Sequence, residues 1–197
     1  MENQRQVSET IRAFIAAEIS EETRTRMGGL LARLRETGAD VKWSRPGSIH
    51  LTLRFLGETR AEQVDMIAEA MAEAAGEALP VPVSVEGWGL FPNERRPRVI
   101  WLGLKQGGPE LSAVFEKLER ALLARGLPPA DKAFSPHLTL GRVKSGRGLS
   151  MALAVMKAEG DRNFGEYTVD RLVLIRSQLH PAGAIYTPLR ESRFKGQ

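Results

Sequence analysis

Two of the three histidines stand in the same four-residue run: His50-Leu51-Thr52-Leu53 and His137-Leu138-Thr139-Leu140. In an extended strand, residues two apart project from one face. Each histidine therefore shares a face with a threonine, while the leucines turn the other way, towards a core. Were the two strands to face one another, two imidazoles and two hydroxyls would converge on one cleft. Imidazole is the side chain whose unperturbed pKa lies closest to neutral pH. A pair can supply base and acid together, one activating water while the other protonates a leaving oxygen. Threonine hydroxyls can donate to the non-bridging oxygens of a phosphate held between them. That is the equipment for hydrolysing a phosphodiester without a metal.

One His-x-Thr alone is weak. With nine threonines in 197 residues, a match at a given histidine arises by chance about one time in twenty. Two copies among three histidines, in corresponding halves of the chain, are not explained by strand alternation. His180, in "LHPAG", lacks the pattern and reads as a turn residue before proline.

The elements that must position these residues follow from periodicity. "RAFIAAEI" (12–19) reads as a buried strand, and a helix from Glu21 to Thr37 follows, with Ser20 as N-cap and Gly38 past its end. The motif strand "SIHLTLRFLG" (48–57) comes next. Thr59 and Glu62 have the spacing of a capping box for a helix carrying Val64, Ile67, Ala68, Met71 and Ala75. Two strands, 81–91 and 98–104, flank the turn-rich "PNERRP". Pro109 opens a helix with Leu111, Val114, Phe115, Leu118 and Leu122 on one face and Gly126 as its stop. The second motif strand, a helix over 149–158, and strands over 168–177 and 184–190 complete the order. The pattern is a pseudo-repeat of a β-α-β-α-β unit with one His-Leu-Thr-Leu strand per half. It predicts a single α+β domain over 1–197, bilobal and pseudo-symmetric, with two antiparallel-rich sheets and outer helices around a central groove.

Composition narrows the function. The absence of cysteine excludes disulfides, thiol chemistry and sulfur ligands for zinc. No His-x-Asp or His-Asp pair accompanies the histidines, so neither a metal nor another cofactor is expected. The polar start and the lack of a long apolar run predict neither a signal peptide nor a membrane span, compatible with a cytoplasmic protein. A net charge of +4 suits an anionic partner such as RNA or a nucleotide, though the charges are mixed rather than blocked.

The paired motifs resemble those of the two-histidine phosphoesterase superfamily. More closely, the chain is similar to the RNA 2′,3′-cyclic phosphodiesterases, also called 2′-5′ RNA ligases. The likeness runs through "RAFIAAEIS", "HLTLRFLGE", "RPRVIWLGL", "FSPHLTLGRV" and "LIRSQLHPAGAIYTPL". It implies two lobes around a groove, His50 as proton donor, His137 as proton acceptor, and Thr52 and Thr139 on the phosphate. It implies hydrolysis of 2′,3′-cyclic phosphate ends of RNA or nucleotides to 2′-phosphomonoesters, with a reverse 2′-5′ ligase activity on the same residues, in a monomer. The alternative is a nucleotide- or RNA-binding module with little catalysis, which would have no need of two titrating imidazoles.

Two residues of the family pattern conflict with strict alternation. An arginine follows the second motif at Arg142 and an aromatic follows the first at Phe55, and alternation puts both on the leucine face. A bulge at Gly141 would re-aim Arg142 towards the phosphate. Without one, Arg54 is the better-placed cation. Phe55 is equally suited to core packing and to stacking on a base, and Trp88 and Trp101 to core or groove wall.

Overall fold

The computed structural model describes residues 9–159, 162–180 and 183–196. The chain runs β1 (Thr10–Ala17), α1 (Glu21–Glu36), β2 (Val41–Trp43), β3 (Leu51–Arg60), α2 (Val64–Gly76), β4 (Val81–Phe91) and β5 (Val99–Gln106). It continues as α3 (Gly108–Ala124), β6 (Leu138–Val143), α4 (Leu149–Ala158), β7 (Glu166–Val169), β8 (Arg171–Gln178) and β9 (Ile185–Arg193). The fold is α+β, with strand orders β3-β1-β8-β9 in one sheet and β2-β6-β5-β4-β7 in the other. Every pairing is antiparallel.

The repeat foreseen in the sequence is present, with an exchange built into it. The units β1-α1-β3-α2-β4 and β5-α3-β6-α4-β8 follow one order, and each lays its third strand in the other's sheet. β4 pairs with β5, and β8 with β1. One continuous apolar cluster consequently runs through both sheets and helices α1 to α4, from Ile15 and Leu31 to Leu111, Leu140 and Met156. The motif leucines Leu51, Leu53, Leu138 and Leu140 all belong to it. Burying each stabilises the strand in place by about 2 kcal/mol.

Helix α1 starts where its cap requires. Ser20 Oγ accepts from the Thr23 amide at 3.1 Å, and Glu21 and Glu22 occupy the positive first turn. Two sequence expectations fail. The Thr59–Glu62 capping box does not form: Thr59 is a buried residue of β3, and a short 3-10 turn over 61–63 precedes α2. There the Gln63 side chain accepts from the Arg60 amide at 3.1 Å. The run 168–177 is not one strand, because the chain changes sheets at Asp170, leaving β7 beside β4 and β8 beside β1. Strand β2 was not foreseen; three residues are too few to show alternation.

Candidate active site

Both histidines stand one residue before their strands, β3 and β6, and both are held in the same way. His50 Nδ1 lies 2.9 Å from the Ser48 carbonyl, and His137 Nδ1 lies 2.7 Å from the Ser135 carbonyl. A carbonyl only accepts, so Nδ1 carries the proton in each neutral ring and Nε2 presents its lone pair. Each ring is also flanked by two others. His50 stacks on Phe14 at 4.5 Å and meets the edge of Tyr186 at 5.2 Å. His137 meets Phe91 edge-on at 5.0 Å, with Trp101 at 6.1 Å. Burial against these rings disfavours the imidazolium. It pushes His50 down to about 4, with smaller contributions from the Arg24 and His137 charges and partial opposition from the Ser48 carbonyl. It lowers His137 in the same sense, with Arg142 adding to the effect.

A groove of about 470 Å³ lies between the two sheets, and His50, Thr52, Thr139 and Arg142 line it. Neither threonine hydroxyl is engaged by another protein group among the described residues. Arg12, Lys42, Arg45 and Arg142 bring four cations to the wall, and no Asp or Glu lines it. None of the four has an ion-pair partner among the described residues. Among those residues no group of three or more His, Asp or Glu side chains is placed to hold a metal ion. No helix among them is long and apolar enough to cross a membrane.

The conflict over Arg142 and Phe55 is resolved by two bulges in equivalent places. On β6, Thr139 pairs with Trp101 and Gly141 with Ile100, so Leu140 is an extra residue in the ladder. On β3, Thr52 pairs with Ala16 and Arg54 with Ile15, so Leu53 is extra. Each bulge inverts the alternation after it. Phe55 and Arg142, five residues beyond their histidines, thereby regain the groove face that strict alternation denied them. Gly141 turns inward, where a Cβ would stand 2.6 Å from Val41 Cγ1 and 2.7 Å from Trp43 Cε3. Only glycine fits there.

Arg54 occupies the position equivalent to Gly141, and the expectation that it serves the groove is corrected. Its side chain turns into the protein, 6% exposed, and pairs with Glu119 at 2.8 Å. It also donates to the Phe55 carbonyl at 2.8 Å and the Pro128 carbonyl at 2.5 Å. Glu119 in turn accepts from the Ala130 amide at 2.6 Å. The network ties the first motif strand to α3 and to the segment leading towards His137. Removing one partner of such a pair leaves the other charge buried, so Arg54→Ala should cost about 3 kcal/mol. A lowered denaturation midpoint at unchanged slope checks this.

Sequence reasoning missed the residues that orient the histidines. Arg24 Nη1 donates to the Pro46 carbonyl at 2.9 Å and the Ile49 carbonyl at 3.4 Å, bracing the turn before His50. On the helix it reads as an ordinary surface cation, with Glu21 three residues back. Phe14 and Tyr186 look like strand residues in any sequence. Trp101 proves to be part of the His137 surround, whereas Trp88 packs against the core.

Comparison with known proteins agrees with this duplicated arrangement. The LigT-like phosphoesterase family matches the chain twice, over residues 18–101 and again over 102–186, with one His-x-Thr in each match. The chain belongs to this family. An RNA 2′,3′-cyclic phosphodiesterase of Aeropyrum pernix is 36% identical over 169 residues, 84% of this chain and 95% of that one. The Archaeoglobus fulgidus protein of that name is 36% identical over 184 residues, 91% and 98% of the two chains. Protein TT0787 of Thermus thermophilus superposes with a TM-score of 0.76 at 29% identity, covering 95% of this chain and all 100% of its own. Escherichia coli LigT shares the fold, with a TM-score of 0.74 at 23% identity over 95% of this chain and 100% of its own. The family resemblance read from the motifs is thus borne out, as is the α+β architecture.

Proposed function

We propose that this protein is an RNA 2′,3′-cyclic phosphodiesterase that opens its substrate to a 2′-phosphomonoester without a metal ion. The observation that carries the reading is the pair of imidazoles held alike through Nδ1, each two residues before a groove-lining threonine whose hydroxyl is unengaged. The names of the curated relatives support the substrate class. The cation-lined groove supports a polyanion.

In this reading His137 Nε2 takes a proton from water as the water oxygen attacks phosphorus. The bond from phosphorus to the ribose 3′ oxygen breaks in line, and His50 Nε2, entering protonated, gives its proton to that oxygen. Thr52, Thr139 and Arg142 donate to the non-bridging oxygens. A 5′-hydroxyl in place of water would give a 2′-5′ linkage on the same groups, which is the ligase direction.

Among the differences between the two halves, the residues five beyond each histidine are the ones that face the groove at equivalent places. A ring stands on the His50 side and a guanidinium on the His137 side. Phe55 suits a nucleobase and Arg142 a phosphate oxygen. The nucleoside, with its leaving oxygen, accordingly lies towards His50, and water enters from the His137 side. Family resemblance makes the leaving oxygen the 3′ one. The product from a 2′,3′-cyclic substrate in excess EDTA is expected to be the 2′-phosphate, identified by phosphorus NMR against both isomers. A 3′-phosphate product would reverse the ribose orientation, and dependence on an added divalent ion would reject the metal-free route. Binding without turnover would favour the recognition module instead.

A further inference from the structure

Beyond the reacting nucleotide, the geometry points to a subsite for the next nucleotide on its 5′ side, with Arg12 holding the phosphodiester between the two. The inference rests on the reading of the groove as an RNA-end site. A 2′,3′-cyclic phosphate closes the 3′ end of a strand, so the rest of the RNA can leave only through the 5′ oxygen of the terminal nucleotide. One more phosphate then lies a single ribose away from the reacting one.

A second depression of about 510 Å³ opens off one end of the catalytic groove, and Thr10, Gly57 and Glu58 contribute to its wall. The two spaces share Arg12, Phe55, Ser177 and Leu179. Arg12 thus stands on the threshold. Its guanidinium lies 4.9 Å above the Phe55 ring, which fixes the fork without a carboxylate. It has no ion-pair partner among the described residues, so its donors are available to an anion crossing between the spaces. A planar guanidinium matches phosphate oxygens in pairs, which a lysine cannot do. The walls beyond suit a base and its sugar. Leu179 is 78% exposed, apolar surface left uncovered at a polar rim, while Phe55 is left to the base of the reacting nucleotide. Glu58 can accept from the exocyclic amine of a base. Volumes of this size accommodate about one nucleotide each.

Two measurements test the proposal. Calorimetry compares binding of a dinucleotide and a mononucleotide, each ending in a 2′-phosphate. The dinucleotide should bind about tenfold tighter to the native protein, the scale of one charge-assisted phosphate contact. Arg12→Ala and Arg12→Gln should bring that ratio close to one, and Arg12→Lys should keep part of it. The ratio of kcat/KM for the corresponding cyclic dinucleotide and mononucleotide should follow. Arg120→Ala, an exposed cation that lines neither space, should leave both ratios as they are. Equal binding of the two ligands by the native protein, or a ratio indifferent to Arg12, would overturn the subsite. A binding ratio that depends on Arg12 in a protein that turns over neither cyclic substrate would sustain the subsite and reject the hydrolase reading.

Discussion

His50→Ala or His137→Ala should each lower turnover at least about a hundredfold, the usual contribution of a positioned acid or base. Each ring has Nδ1 committed to a backbone carbonyl, the two are near enough for the His137 charge to act on His50, and in the proposed mechanism each works through Nε2. In the proposed mechanism the two serve one displacement, so the double variant should lose less than the product of the single losses. His180→Ala, outside both motifs, should remain active. Near-native turnover in His137→Ala would defeat the mechanism. The pH profile carries a signed expectation as well. Burial lowers His50 to about 4 and holds His137 below its ordinary 6.5. The free enzyme should therefore give a bell-shaped kcat/KM whose two limbs, belonging to the pair, both fall below pH 6.5. A bound phosphodiester anion favours the imidazolium and raises these values. The alkaline limb of kcat should thus lie at higher pH than that of kcat/KM, and coincident limbs would contradict the assignment.

Arg142→Ala should lower kcat about a hundredfold, the scale of removing one donor from developing phosphate charge. A fall in kcat and kcat/KM together would identify a contact strongest in the transition state; a rise in KM alone would mean uniform binding. Arg142→Lys should recover only part, since a point charge replaces a two-pronged donor. The bulge that aims Arg142 offers an independent check. A Cβ at Gly141 would press on Val41 and Trp43. Gly141→Ala should therefore disturb β2 and reproduce part of the Arg142 loss while both histidines remain. Full activity in Gly141→Ala would separate the bulge from the aim of Arg142.

Much of the site was legible because it is local. His-Leu-Thr-Leu fixes which side chains share a face within one strand, and the leucines' burial fixes which face is inward. The helices announced themselves by apolar spacing and by Ser20, Gly38 and Gly126, whose backbone roles need no tertiary partner. The doubling of the motif was enough to predict two similar halves. What the sequence left open depends on neighbours distant in the chain. A bulge belongs to the ladder between two strands, so the alternation of β3 or β6 alone pointed Phe55 and Arg142 the wrong way. Arg54 looked available because its partners, Glu119 and the Pro128 carbonyl, lie more than sixty residues away. The break at Asp170 has no glycine or proline to mark it, and only the two sheets competing for its flanks reveal it. Arg24 braces His50 through carbonyls, which carry no sequence signature. The sequence by itself therefore determined the candidate reacting groups and their pairing. Tertiary structure decided which arginine faces the groove and how burial sets the imidazoles, because both depend on the register and packing of strands that meet only in the folded chain.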